Sequence, residues 1–275
     1  MKIGYHIGNP GIQEDSRFVE LLAALSAAGV ENYPIKCVRC LRGETDMVLS
    51  LGGDGTFLNT ARLVSEQGLP ILGVNFGRLG FLSENSPENV VEPLLKGEFT
   101  IEERTMLKVG GDVPDGADFW PYALNEVSLH RRYAEMLGID ASIGRMQVPT
   151  YWADGLLVAT ASGSTAYNLS AGGPICTPES PVLLLTPIAP HNLGLRPLVL
   201  PETSEIRLRA KSRKDKVALT LDNRTYEIPS GSQVSVSLAP FRLRRVNFGR
   251  HSFIDALRSR FFWGQDVRNI PEYNG

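Results

Sequence analysis

The sequence predicts an α/β N-terminal domain with an open doubly wound sheet, plus a mostly β C-terminal domain. Three observations predict it. Strand-like and helix-like patterns alternate through the first hundred residues, as in a parallel sheet covered by helices. Beyond residue 100 the texture changes to short β-like runs punctuated by Pro, Gly, Asn and Ser clusters. Helical spacing then returns over 251–263, through Phe253, Ile254, Leu257 and Phe261. A length of 275 residues suits two domains. The expected units are 1–100, which carries a glycine loop, 101–250, which is mostly β, and a helical tail 251–275 packing back on the first domain.

Taken in order, residues 2–8 read as a first strand. From 15 to 28, Phe18, Leu21, Leu22, Leu25 and Ala28 recur at three- and four-residue spacing, which gives a helix with one apolar face and a stop at Gly29. The apolar run 47–51 reads as a buried strand entering the tight turn Gly52-Gly53-Asp54-Gly55. Phe57, Leu58, Ala61, Leu63 and Val64 mark a second helix ending near Gly68, and 71–74 supplies the next strand. Ligands in such sheets sit beyond the carboxyl ends of strands, where 52–55 and 75–80 both fall. In the second domain the β-like runs are 106–109, 123–129, 155–159, 182–185, 206–208, 217–221 and 234–238.

Composition narrows the function classes. The chain is 43% hydrophobic and 21% charged, an ordinary globular mix. A formal charge of -2 lacks the broad electrostatic footprint of a nucleic-acid binder. Arg242, Arg244, Arg245 and Arg250 form the densest basic cluster, which a strand would turn to one face. No secretory pattern opens the chain and no apolar window approaches a membrane span, so no membrane partner and a cytoplasmic location are expected. Cys37, Cys40 and Cys176 are expected as free thiols, because no second CxxC completes a zinc site.

The chemistry concentrates at Gly52-Gly53-Asp54-Gly55-Thr56. Glycines permit positive φ and close backbone approach, and the following helix offers free N–H groups to phosphate oxygens. Gly52, Gly53, Gly55 and Thr56 are thus the candidate phosphate and ATP cradle. A carboxylate inside it would repel a triphosphate unless a cation intervenes or it acts on the acceptor. Asp54 could accept the proton of an attacking hydroxyl, help hold Mg²⁺, or merely cap a helix beginning at Thr56. Neither GxxxxGK[ST] nor a GxGxxG between strand and helix is present, so this is no P-loop protein.

The segment 51–58 resembles the GGDGT signature shared by NAD kinases, diacylglycerol and sphingosine kinases and, more distantly, phosphofructokinases. Three further segments are similar to NAD kinases in particular and occur in that family's order: Leu124-Asn125-Glu126-Val127; Asp154-Gly155 running on to Gly163-Ser164-Thr165-Ala166-Tyr167 and Gly172-Gly173-Pro174; and Thr186-Pro187-Ile188-Ala189-Pro190-His191 with Arg196-Pro197. The stretch 75–82 matches as well. The resemblance spans roughly residues 45 to 200.

That resemblance implies an ATP-dependent kinase with Mg²⁺, or another divalent cation, carried by ATP and no confident protein metal ligand. Asp54 would act on the 2′-hydroxyl of the adenosine ribose of NAD, with Gly55 leaving space beside it. Asn125 and Glu126 would bind the adenine end. Thr165, Ala166, Tyr167 and Ser170 would line the dinucleotide site with Phe76, Ala189 would sit against a ring of NAD, and Asp154 would contact the nicotinamide end, often across subunits. A homodimer or homotetramer follows from the same likeness. The chain departs from the family pattern at Ala161, where proline is usual, at Trp152, where many relatives have arginine, and at Asp222-Asn223, in place of an Asp-Gly pair. Two other readings remain: a lipid or sugar kinase of the same superfamily, and a non-catalytic nucleotide-binding regulator.

Overall fold

The computed structural model describes residues 1–78, 80–116, 118–250 and 252–264. Leu79 of the 75–82 motif, His251 at the expected helix start, and the tail beyond Gly264 lie outside the described residues. The chain divides into two compact units, one of residues 1–102 with 244–275, the other of residues 103–243.

In chain order the first unit holds β1 (Lys2–Ile7), α1 (Ser16–Ala27), β2 (Glu31–Pro34), β3 (Met47–Leu51), α2 (Asp54–Val64), β4 (Ile71–Val74), α3 (Val91–Lys96) and β5 (Thr100–Arg104). The chain then builds β6 (Leu107–Gly111), β7 (Tyr122–Ala123), β8 (Glu126–His130), β9 (Leu137–Ile143), β10 (Met146–Ala153), β11 (Gly155–Thr160), α4 (Tyr167–Ser170), β12 (Val182–Ile188), β13 (Leu198–Pro201), β14 (Ile206–Lys211), β15 (Lys216–Leu221), β16 (Arg224–Pro229) and β17 (Gln233–Leu238). It returns to the first unit through β18 (Leu243–Asn247) and α5 (Phe253–Phe261).

The first sheet runs β2-β1-β3-β4-β18-β5, with β1, β2, β3, β4 and β18 paired in parallel. Alternation along β3 assigns its two faces. Leu49 and Leu51 join a core with Phe18, Leu21 and Leu25 of α1 and Leu94 of α3, whereas Ser50 meets Thr60 of α2 through a 2.9 Å hydroxyl contact. Helices therefore cover both faces, the doubly wound arrangement. Asp15 caps α1 by accepting the Arg17 N–H at 3.0 Å, and Gly29 follows the helix at φ +76°.

The second unit is two six-stranded sheets, β10-β9-β14-β17-β6-β7 and β13-β12-β11-β8-β15-β16. Val127, Leu129, Leu156 and Val158 of one sheet meet Leu137, Ile139, Leu208 and Val236 of the other in a single apolar core. The expected run 123–129 is split: β7 ends at Ala123 and β8 begins at Glu126, which leaves Leu124 and Asn125 at a break.

Two expectations need correction. Cys37 and Cys40 are a disulfide, not free thiols; the turn Val38–Cys40 brings their Cα atoms to 5.1 Å, inside the span a bridge requires. Cys176 alone is a free thiol. The arginine cluster has no common face. Arg242 pairs with Glu202 at 2.7 Å, Arg244 donates to the Gly68 carbonyl at 3.0 Å and Arg250 to that of Asn89 at 3.0 Å. Arg245 is buried, because alternation along an interior strand sends it opposite to Arg244. None of the described helices is long and apolar enough to cross a membrane.

Candidate active site

In the first unit the strand order reverses direction between β1 and β3, the switch point where open α/β sheets bind ligands. The carboxyl ends of both strands carry glycine for a reason of space. A Cβ on Gly8 or Gly52 would stand 1.9 or 2.4 Å from Thr56 Oγ1, and Gly52 adopts φ +144°, so Thr56 sits against bare backbone on both sides. Here a cleft of about 470 Å³ is lined by Asn9, Gly11, Gly52, Gly53, Thr56 and Phe76, among others. Phe76 is held by Arg17, whose guanidinium lies 5.5 Å from the ring centroid and donates to the Phe76 carbonyl at 2.8 Å.

Asp54 is the first residue of α2, and Gly53 is the N-cap, so the helix starts two residues before Thr56 and Asp54 makes no cap bond to it. Its carboxylate turns instead to the loop after β4. Oδ2 accepts the Phe81 N–H at 2.7 Å, and Oδ1 accepts those of Leu82 and Ser83 at 3.0 and 2.9 Å. Gly55 has open space where a side chain would stand.

The second unit brings together most of the other expected residues. Asn125 and Glu126 are buried at the β7–β8 break. Thr160 Oγ1 donates to the Leu124 carbonyl at 2.7 Å, and the Gly163 backbone passes so close that a Cβ there would stand 2.1 Å from the Asn125 carbonyl oxygen. Glu126 Oε2 is buried with no hydrogen-bond partner among the described residues. Desolvation, with the Asp222 charge second, pushes the Glu126 carboxyl up to about 8, against a smaller opposing effect of the Tyr167 backbone N–H.

Tyr167 opens α4, immediately after Thr165 and Ala166, and its ring stacks on His130 at 5.4 Å. Burial raises the Tyr167 hydroxyl, helped by the charges of Asp154 and Glu126. Burial lowers His130, partly offset by Asp154. Asp154 pairs with Arg131 at 2.8 Å, and its N–H donates to the Ile188 carbonyl at 3.0 Å, next to Ala189, which holds an unusual φ of +45° for a non-glycine residue. Ser170 is exposed at the end of α4. Ala161 takes φ -57°, an angle proline also adopts, so this departure leaves the turn intact. Trp152 is exposed and rests its ring where a Cβ on Gly138 would come within 2.8 Å.

Two contributors, His130 and Asn168, escape a local reading of the sequence, and a third, Asp222, is marked there only as a departure from the family pattern. Asp222, at φ +51° on the β15–β16 turn, accepts the N–H groups of Leu124, Asn125 and Glu126 at 3.0, 2.8 and 3.3 Å, and returns its own N–H to the Glu126 carbonyl at 3.0 Å. Those partners lie some 96 to 98 residues away, so no local pattern announces them. His130 carries only a lone-histidine signal. Asn168, fully buried, ties α4 down through Ser164, Pro174 and Thr186.

Residues 19–97 match the ATP-NAD kinase N-terminal domain and residues 124–248 the ATP-NAD kinase C-terminal domain. An NAD kinase of Porphyromonas gingivalis is 44% identical over 242 residues, 86% of this chain and 83% of that one. The chain belongs to the NAD kinase family. An NAD kinase of Bacteroides fragilis is 41% identical across 82% of the chain and 79% of its own length. Among solved structures, an Archaeoglobus fulgidus NAD kinase in complex with ATP superposes with a TM-score of 0.78 at 25% identity, covering 95% of this chain and 98% of its own. A yeast NADH kinase complexed with NADH shares the fold, with a TM-score of 0.86 at 24% identity over 98% of this chain and 90% of the yeast chain.

Proposed function

We propose that this NAD kinase family member transfers the γ-phosphoryl group of ATP to the 2′-hydroxyl of the adenosine ribose of NAD, giving NADP. Glu126 carries the reading. A buried carboxyl oxygen with no partner among the described residues calls for one from a ligand, and it stands beside Asn125, which can both donate and accept. Tyr167, stacked on His130, offers an aromatic surface to a base, and Thr165, Ala166, Ser170, Asp154 and Ala189 complete the dinucleotide-binding set. Family membership favours NAD over a lipid or sugar acceptor.

The triphosphate would use Gly52, Gly53, Gly55 and Thr56: bare backbone is open at Gly53 and Gly55, whereas the N–H groups of Gly52 and Thr56 are already donated to the Val74 and Gly53 carbonyls at 2.8 and 2.9 Å. Phe76, expected at the dinucleotide site, flanks that same cleft. Asp54 orients the acceptor hydroxyl: with one N–H on Oδ2, that oxygen keeps a lone pair for it. Phosphoryl transfer through a loose transition state rewards such positioning and needs the proton removed only late. Mg²⁺ arrives on ATP and neutralises phosphate charge there. Such a cation would be held through phosphates and water, with Asp54 the one side chain of the glycine turn that could join it. The working form is a homodimer or homotetramer in the cytoplasm.

Purified protein incubated with ATP, Mg²⁺ and NAD should yield NADP, read by a dehydrogenase specific for the phosphorylated cofactor. Asp54→Asn should lower the rate by about a hundredfold or more. Binding of NAD and ATP without turnover, or phosphate appearing on a diacylglycerol or sphingoid base instead, would refute the assignment.

A further inference from the structure

We propose that the C-terminal return of the chain positions the reactive carboxylate: Arg245 and Arg260 grip the loop 80–84, and that loop in turn grips Asp54. The inference rests on the role given to Asp54 above and adds the residues that set its orientation.

The loop has two sides. Toward α2 it presents the N–H groups of Phe81, Leu82 and Ser83, all three donated to Asp54. The approach is close: a Cβ on Gly80 would stand 1.7 Å from Asp54 Oδ1, so only glycine lets the loop reach the carboxylate. On its other side the same few residues are held by two arginines. Arg260 of α5 donates to the Gly80 carbonyl, and its guanidinium lies 4.5 Å from the centroid of the Phe81 ring. That ring is also flanked by Phe253 and Phe261, at 6.1 and 5.4 Å. Arg245 of β18 donates to the Leu82 carbonyl at 3.3 Å and pairs with Glu84 at 2.6 Å and Glu102 at 2.8 Å.

Each peptide that points an N–H at Asp54 is thus next to a carbonyl, ring or carboxylate fixed by an arginine from the end of the chain. A carboxylate held by three backbone donors can move only if the backbone moves. The arginines decide where that backbone stands. Asp54 must meet a hydroxyl in line with phosphorus, and misplacement by about 1 Å can cost on the order of a hundredfold in rate. Arg245 and Arg260 are positioning residues on this account; neither needs to touch substrate.

The test compares steady-state kinetics and melting temperature for Arg260→Ala, Arg260→Lys and Phe81→Leu, with Asp54→Asn and Arg258→Ala as references. Arg258 is exposed on the same helix and makes none of the loop contacts above, so its variant should match the parent. Arg260→Ala should lower kcat by about ten- to a hundredfold, with KM for NAD within about twofold, at temperatures far below melting. Arg260→Lys keeps a donor for the Gly80 carbonyl but loses the planar group over the Phe81 ring, and should recover part of that loss. Phe81→Leu keeps the N–H to Asp54, removes the ring under the guanidinium, and should lower kcat in the same selective way. A parental kcat in Arg260→Ala with only a lower melting temperature, or an equal loss in the Ala and Lys variants, would overturn the inference. Should Arg260→Ala not fold, a parental kcat in Phe81→Leu would do the same. An active Asp54→Asn would sink the reading of Asp54 itself, whereas an inactive Asp54→Asn beside a fully active Arg260→Ala would sink only the positioning.

Discussion

Burying the Glu126 carboxyl beside Asp222 changes which form it takes at neutral pH. With its affinity for the proton pushed up to about 8, it is largely protonated at pH 7 and can donate as well as accept. Below its ordinary value of 4.5 the folded and unfolded chains both hold the proton. Between 4.5 and about 8 only the folded chain does, so stability present on the acid side is lost as pH rises through that window. Glu126→Gln should remove this dependence and gain on the parent by about 1–3 kcal/mol between pH 5 and pH 8, measured as the shift in denaturant midpoint at each pH. In the sequence the glycine turn marks Asp54 as exceptional, whereas Asn125 and Glu126 are picked out only by the family resemblance. What holds them is not legible there. Asp222 anchors 124–126 from a turn nearly a hundred residues away, and the three N–H groups on Asp54 come from backbone, which any sequence possesses.

Strands with a strong apolar run declare themselves, and β3, β4 and β11 are examples, buried along their whole length. β2, β5, β9, β10, β13, β16 and β18 escape a reading of the sequence, and two of these show a physical reason. β18 reads Leu-Arg-Arg-Val-Asn, and its second arginine is tolerated inside the sheet only because Glu84 and Glu102 arrive from other elements. β5, Thr-Ile-Glu-Glu-Arg, is an edge strand with charge on both sides. The turn Val38–Cys40 shows a different limit, since spacing alone does not distinguish a closed CxxC from two thiols. Unreduced protein, denatured and treated with a maleimide, should take up one equivalent per chain, at Cys176, and three after reduction, read by intact mass. Three equivalents without reduction would mean that the pair is open in the purified protein.

At the scale of the molecule, the doubly wound unit and the mostly β unit are both visible in the change of texture near residue 100. The sequence suggests a helical tail packing back on the first unit, but not that a strand returns with it. β18 stands between β4 and β5, so the last part of the chain supplies an interior strand of the first sheet. A chain ending at Leu243 should keep the two antiparallel sheets and lose cooperative melting of the α/β unit, because Glu84 and Glu102 would lose Arg245, a defect costing about 3–5 kcal/mol, together with that strand. Circular dichroism during heating would show the helical signal lost without a sharp transition. The same interior strand bears on how the protein is born. As the chain leaves the ribosome, residues 1–102 emerge first but cannot close their sheet, whereas 103–243 emerge as one continuous stretch with all their pairing partners present. The part made second is therefore the first that can finish folding, and the early segment must wait, with apolar strand edges open, until Arg245 is synthesised.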